Sequence, residues 1–272
     1  MKRAVSALGV VSAAALAWGA FEAQWLRLRR LDLAIRALPS ALDGLRILHL
    51  SDLHLGTFSQ NARTLRKAVE WPETRDVDLL VLTGDLLSRR RGEPALKEAL
   101  RQIRPRYGTY AVLGNHEVDE SRDPFSEPVS LDRLEDGGAI LLDNEAHSLD
   151  IRGVCVQIVG CSPSRRELPP VELADRNADL RVLLTHFPDS FDHLPDGVFQ
   201  LVLAGHMHGG QICVPLPGGS RRLLNVFDPY LDGLYVRGST RMYVTSGLGT
   251  TLVPFRFFAR PEATLLVLRG EN

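Results

Sequence analysis

From residue 31 onward, apolar positions alternate with polar or small ones: Leu31, Leu33 and Ile35 against Asp32, Ala34 and Arg36, until Pro39 ends the run. A period of two predicts a strand, because successive side chains of an extended backbone face opposite ways. Further short apolar runs predict strands at residues 46–50, 79–83, 110–113, 139–142, 154–159, 181–185, 201–204, 242–245 and 264–268. Helical patterns lie between some of them, at 62–69 and at 94–103, the second with Pro94 suited to a first turn. Strand and helix alternate in the early half, which predicts parallel β units, whereas the later half is mostly strands separated by Gly and Pro turns. A mixed sandwich flanked by helices accommodates both halves. There is no internal repeat or low-complexity tract, so residues 31–272 read as one domain and 1–30 as a separate N-terminal segment.

That segment follows another pattern. Residues 4–21 are apolar or small and carry no charge, behind Lys2 and Arg3; as a helix they extend about 27 Å, close to the hydrocarbon thickness of a bilayer. The length favours a membrane anchor. A cleaved signal peptide is the alternative, with Ala15-Leu16-Ala17 as a small-x-small site, and a buried core helix is the third reading. Trp18 and Trp25 stand where interfacial anchors would. Arg27, Arg29, Arg30 and Arg36 outnumber the cations ahead of the segment, which favours a cytoplasmic-facing domain over an exported one.

Composition narrows the function classes. With 44% hydrophobic and 24% charged residues over 272 positions, the chain is not a disordered one. Lys plus Arg number 32 against 33 Asp plus Glu, a net charge of -1, so no nucleic-acid partner is expected and any anion site must be local. Three cysteines cannot frame a disulfide scaffold; Cys155 and Cys161, in one predicted strand, stand roughly 20 Å apart and read as free thiols.

The chemistry concentrates where apolar runs give way to Gly or polar loop. Residues 47–50 lead into Ser51-Asp52-Leu53-His54, 79–83 into Gly84-Asp85, 111–113 into Gly114-Asn115-His116-Glu117, 182–185 into His186, and 202–204 into Gly205-His206-Met207-His208. Residues two apart on an extended chain point the same way, so Asp52 with His54, and His206 with His208, can each offer two donors to one locus. Open sheets bind ligands beyond the carboxyl ends of their strands, where these groups fall. Five of the eight histidines lie in these motifs; His49, His147 and His193 are left to packing or solvent, His49 as a buried imidazole hydrogen-bonded to a neighbour.

Taken together, Asp52-x-His54, Gly84-Asp85, Gly114-Asn115-His116-Glu117, His186 and Gly205-His206-x-His208 resemble the calcineurin-like metallophosphoesterases over almost all of residues 45–270. Gly209-Gly210-Gln211-Ile212 with Pro215, and Ser246-Gly247-Leu248-Gly249 leading to Arg260-Pro261-Glu262, resemble the membrane-associated or exported bacterial branch. The resemblance implies a four-layer αββα sandwich with two divalent ions at its edge. By that resemblance Asp52, His54 and His208 hold the first ion, Asn115, His186 and His206 the second, and Asp85 bridges both. Imidazole, carboxylate and amide donors without thiolate suit Mn²⁺, with Fe or Zn²⁺ as alternatives.

The implied reaction is hydrolysis of a phosphodiester or pyrophosphate by a metal-bridging hydroxide, with His116 protonating the leaving oxygen. Glu117 and Asp189 are candidates for fixing imidazole tautomers from behind, with ordinary loop acids as the alternative, and Gly84, Gly114 and Gly205 would admit close backbone approach. One class of family members hydrolyses UDP-2,3-diacylglucosamine. A phosphomonoesterase or protein phosphatase is the second enzyme alternative; a metal-binding interaction module on the same fold, the non-enzyme one, would show lost metal positions, and none is missing. The substrate is expected to be a phosphoester-containing small molecule or lipid near a membrane, with specificity set by loops 118–131, 211–241 and 248–260; oligomeric state stays open. In the last loop Phe255, Phe257 and Phe258 surround Arg256, read as core packing ahead of acyl-chain contact, and the pairs Arg165-Arg166 and Arg221-Arg222 read as solvated.

Overall fold

The computed structural model describes residues 2–121, 123–131, 134, 137–216, 219–222 and 228–271, the side chains of 2–8, 216 and 219–222 excepted. In chain order its helices and strands are α1 (Lys2–Glu22), β1 (Arg27–Arg36), β2 (Arg46–Leu50), α2 (Asn61–Val69), β3 (Leu79–Thr83), α3 (Glu93–Gln102), β4 (Thr109–Val112), β5 (Ala139–Leu141), β6 (Ala146–Ile151), β7 (Val154–Cys161), β8 (Leu180–Thr185), β9 (Leu201–Ala204), β10 (Cys213–Leu216), β11 (Gly219–Arg222), β12 (Gly233–Arg237), β13 (Thr240–Val244) and β14 (Glu262–Glu271). Two six-stranded sheets result, ordered β1-β14-β2-β3-β4-β5 and β12-β13-β9-β8-β7-β6, with β10 and β11 forming a separate hairpin. Parallel pairing runs through β2-β3-β4-β5 in the first sheet and β7-β8-β9-β13 in the second.

The central strands are apolar at every position because both of their faces are covered. In β3, Leu79 and Val81 join Ile47, Tyr110, Val182, Leu184 and Leu203 in the core between the sheets. Leu80 and Leu82 point the other way, onto Leu65 and Ala68 of α2 and Leu96 and Leu100 of α3. On the far side, Leu183 and Val202 are covered by Val171, Leu173 and Phe191. These come from short 3₁₀ turns, so the αββα layering carries turns in place of long helices in its fourth layer.

All nine short strands expected from pattern are present, and β1 starts earlier than residue 31. The reason is electrostatic. Arg27 and Arg29 lie beside the buried Glu262 of β14 at 2.6 and 3.9 Å, and Arg30 pairs with Glu73 at 3.7 Å. Three of the arginines counted as flanking charges of a membrane segment are therefore engaged by the domain. Cys155 and Cys161 are free thiols, as expected.

The end of α1 docks on the segment before β14. Arg256 N–H donates to Gly19 O at 3.1 Å, Ala259 N–H to Glu22 Oε1 at 2.9 Å, and Trp18 Nε1 to Glu22 Oε2 at 2.9 Å. A Cβ at Gly19 would stand 2.6 Å from the Phe257 ring, so only glycine lets this helix approach so closely. Further along α1, Val10, Val11 and Leu16 are exposed, as are Trp18, Phe21 and Trp25, whose rings pack on one another. Among the described residues no helix is long and apolar enough to cross a membrane. The expectation of a spanning anchor rests in part on the side chains of residues 2–8, outside those described, and its final turn lies against protein.

Candidate metal centre

Parallel strands end together, and here the ends of both sheets meet at one edge. Asp52 and His54 follow β2, Asp85 follows β3, Asn115 and His116 follow β4, His186 follows β8, and His206 and His208 follow β9. The loops are stitched in register beyond the strands: Asp52 N–H donates to Gly84 O and His54 N–H to Asp85 O, both at 3.0 Å, and Gly205 N–H to His186 O at 3.2 Å.

The ligand-type atoms converge. Three triads each bring their donor atoms within 4.8 Å of one another: Asp52–His54–His208, His54–Asp85–His116 and Asp85–His186–His206. His54 Nε2 and His208 Nε2 face each other at 3.0 Å, with Asp52 Oδ1 3.4 Å from His208 Nε2 and Asp85 Oδ2 3.6 Å from His54 Nε2. On the other side His186 Nε2 lies 3.1 Å from His206 Nδ1, 3.0 Å from Asn115 Oδ1 and 3.3 Å from Asp85 Oδ2. All seven residues expected to hold metal are thus brought together, with Asp85 between the two groups.

Imidazole nitrogens aimed at one another and at carboxylates satisfy none of their lone pairs, unless a proton or a cation sits among them. His186 Nδ1 sits 2.8 Å from Thr83 O, which fixes the proton on Nδ1 and turns the Nε2 lone pair inward; His54 Nδ1 has Ser88 Oγ at 3.1 Å. This donor set fits two divalent cations: nitrogen and oxygen, no sulfur, each side anchored from behind.

The backbone here is strained. Asp52, His54, Asp85, His206 and His208 all take left-handed φ, between 43° and 73°. Such residues cost on the order of 1–3 kcal/mol each and persist only where surroundings over-determine them. The surroundings are visible. His206 N–H bonds both Asp52 oxygens at 3.1 Å and His116 N–H bonds Asp85 Oδ1 at 3.0 Å. Glycines give the room: a Cβ on Gly114 would lie 2.1 Å from Asp85 Oδ1, and one on Gly84, at φ +86°, 2.7 Å from His186 Nδ1.

Burial sets the charges. It pushes His54 and His206 down to about 3 and His208 well below the imidazole range, keeping them neutral. It pushes Asp52 up to about 6. Burial works in the same sense on Asp85, but His186, His116 and His54 outweigh it and hold that carboxyl well below its usual range. His186 is the counterpart: burial opposes its charge, yet Asp85 and Asp52 raise it to about 10.

His116 differs from the others. It lines a cavity of about 200 Å³ together with Asp85, Asn115, His206 and His208. Its Nδ1 has Ser126 Oγ at 2.7 Å and its Nε2 has Ser121 Oγ at 3.0 Å, so both nitrogens have hydroxyl partners. Glu117 does not touch an imidazole among the described hydrogen bonds. It accepts backbone N–H groups of Asp85, Leu86, Leu87 and Gly114, tying the β3 and β4 loops together. Asp189 lies in the Pro188–His193 turn with its Oδ1 buried and without a hydrogen-bond partner.

Of the other histidines, His49 is buried against Thr83 Oγ1 at 2.8 Å as expected, His147 packs on Tyr110, and His193 is exposed. Of the expected basic pairs, Arg165 binds Glu172 at 2.7 Å and Arg166 lies over Phe187; the Arg221-Arg222 side chains lie outside the described residues. The sequence reading passed over Ser88, Ser121, Ser126 and Asp123, whose lone hydroxyls or carboxylate carry no spacing signal. It also left open what Arg256 holds. Arg256 is fully buried and donates to the carbonyls of His208, Ser246, Gly249 and Ala259, fastening the His208 turn to the segment that receives α1.

Comparison with known proteins agrees with this geometry. The model of the calcineurin-like phosphoesterase family matches residues 45–210. The metallophosphoesterase YkoQ of Bacillus subtilis is 34% identical over 231 residues, covering 81% of this chain and 82% of its own. A transmembrane protein with metallophosphoesterase domain from Danio rerio is 29% identical, covering 88% of this chain and 56% of its own. The UDP-2,3-diacylglucosamine pyrophosphatase LpxG of Chlamydia muridarum is 27% identical over 321 residues, covering 96% of both chains.

Proposed function

The chain belongs to the calcineurin-like phosphoesterase family and is a metal-dependent phosphoric ester hydrolase; on that premise we propose that it cleaves phosphodiester or pyrophosphate bonds of a membrane-associated substrate. The observation that carries the reading is the pair of facing imidazole groups on either side of Asp85 at the floor of an open cavity. Asp52, His54 and His208 would hold one divalent ion, Asn115, His186 and His206 the other, with Asp85 shared; Mn²⁺ is our choice of ion, with Fe or Zn²⁺ as the alternatives that the imidazoles admit. The chemistry supplied there by bound divalent ions would be polarisation of phosphoryl oxygens and a water pKa brought into the neutral range.

The protein's own groups do the rest. Thr83 O and Ser88 Oγ hold the imidazoles in one orientation, so the site is organised before substrate arrives. His116, on the cavity wall with both nitrogens hydrogen-bonded to serine hydroxyls, would protonate the leaving oxygen. The apolar α1, with its exposed aromatic cluster, is suited to keep the enzyme at a membrane surface, and the relatives named as transmembrane or as acting on a diacylated glucosamine support that placement. UDP-2,3-diacylglucosamine is one specific candidate.

Purified protein with Mn²⁺ should hydrolyse bis(p-nitrophenyl) phosphate faster than p-nitrophenyl phosphate; the opposite order would make it a phosphomonoesterase. His116→Gln should lower kcat about 10²- to 10⁴-fold on a diester with an alkyl leaving group. The loss should be much smaller with p-nitrophenolate, which leaves without a proton. Equal losses on both would remove His116 from the acid role.

A further inference from the structure

A second cavity, of about 180 Å³, adjoins the one lined by Asp85, Asn115 and His116 and shares Asp123, Thr251 and Leu252 with it. Its wall is apolar and lies open: Phe58 is 88% exposed, Phe125 55%, Leu252 45% and Val253 37%. Phe58 carries the Arg91 guanidinium over its ring at 4.1 Å, and among the described residues the others have no such cover. Large apolar side chains gathered on an exposed surface mark a binding site more often than chance.

The wall is also built to stay open. Asp123 accepts Thr251 Oγ1 and Leu252 N–H at 3.0 Å and Phe125 N–H at 2.9 Å, which pins both sides of the cavity to one carboxylate. The Gln211 amide donates to Thr251 O at 2.8 Å and accepts Thr251 N–H at 3.0 Å. Arg89 Nε donates to Phe125 O at 2.7 Å. Leu252 sits at φ +59°, a left-handed conformation that a leucine adopts only when held. Polar groups spend their hydrogen bonds on the loop backbone, leaving the apolar side chains facing the cavity.

The segment has a second face. Leu252 and Val253 line the cavity, while Phe255, Arg256 and Phe257, a few residues on, clasp Gly19 of the apolar α1. The histidine-lined cavity, the apolar cavity and the apolar helix therefore adjoin along one short stretch of chain. From this juxtaposition we propose that the apolar cavity is a subsite for a hydrocarbon chain of the substrate, seated next to the phosphoester at the metal centre. The inference rests on the phosphoester reading for the identity of the neighbouring group, and it deepens that reading to an amphiphile with an acyl or alkyl tail.

The test uses the full chain loaded with Mn²⁺ and a series of monoalkyl phosphates from methyl to octyl, kept below their micelle-forming concentrations, with binding followed by calorimetry. Affinity should rise about threefold to fourfold per added methylene until the cavity is filled. Phe58→Asp and Val253→Asp, both at exposed positions, should cut octyl phosphate affinity at least about tenfold while leaving methyl phosphate binding and metal content unchanged. A flat series in the native chain, or a slope that survives in both variants, would overturn the subsite. Hydrolysis of methyl p-nitrophenyl phosphate is measured in parallel. If that ester is not cleaved, the reaction assignment fails on its own while the binding series still decides the subsite.

Discussion

The core between the sheets and the loops at its edge follow opposite rules. In the core, Leu79, Val81, Val182, Leu184 and Leu203 sit in regular strands, alternate in facing, and spend no hydrogen bonds beyond the ladders. A few residues further along the same strands, Asp52, His54, Asp85, His206 and His208 take left-handed backbone conformations and point polar atoms at one another. Relaxed strands make the strained loops affordable. The comparison teaches that position is supplied by the core and reactivity by the edge, so the two should respond separately to substitution.

The largest test of that separation is Asp85→Ala. Removing the shared carboxylate should lower turnover at least about 10³-fold, worth several kcal/mol, with circular dichroism unchanged; retained turnover, or a chain that unfolds, would erase the distinction. Leu203→Ala, in the fully buried core, should do the reverse. It should cost about 3–5 kcal/mol in denaturant unfolding while the folded fraction keeps its metal stoichiometry. Chelating the metal comes next. At a concentration 100 times Kd, bound ions stabilise by about 2.7 kcal/mol, so chelator should lower Tm by about 5–10 °C, and an unchanged Tm would mean the loops hold themselves.

The smallest effect is one of pH, and it belongs to the core side. Burial pushes His49 down to about 3 from its ordinary 6.5. Above pH 6.5 the imidazole is neutral folded or unfolded and contributes no dependence. Below 6.5 the unfolded chain takes up a proton that the folded chain refuses, so stability falls with falling pH, by up to about 1.4 kcal/mol per unit, until about pH 3. Comparing His49→Gln with the native chain at pH 7.5 and 5.5 isolates this contribution, since the variant should lose less stability between the two.

The central strands were legible because burial on both faces leaves continuous apolar runs, and α2 and α3 because their apolar residues recur at helical spacing. Two of the four edge strands, β6 and β12, were not. β6 and β12 alternate exposed and part-buried positions with polar residues such as His147, Ser148 and Asp150, which read as loop. The start of β1 was hidden by Arg27 and Arg29, which look like flanking charge until Glu262, more than two hundred residues away, is seen beside them. At the site, the residues that converge beyond the strand ends were legible from motif spacing. For Glu117 the sequence left two readings open, and the loop backbone it holds was not legible, because hydrogen bonds to backbone N–H groups leave no trace in side-chain pattern. Asp123 and Arg256 work wholly through contacts distant in sequence, so nothing local betrays them.

One pairing bears on how the molecule comes into being. β1 runs parallel to β14 from Arg27↔Glu262 to Arg36↔Glu271, and α1 rests on the segment just before that strand. During synthesis α1 and β1 emerge more than two hundred residues ahead of β14, so the helix and its following strand must wait, without their berth, until that strand has left the ribosome. Throughout that interval a chaperone or a lipid surface would meet the helix before the rest of the protein can claim it.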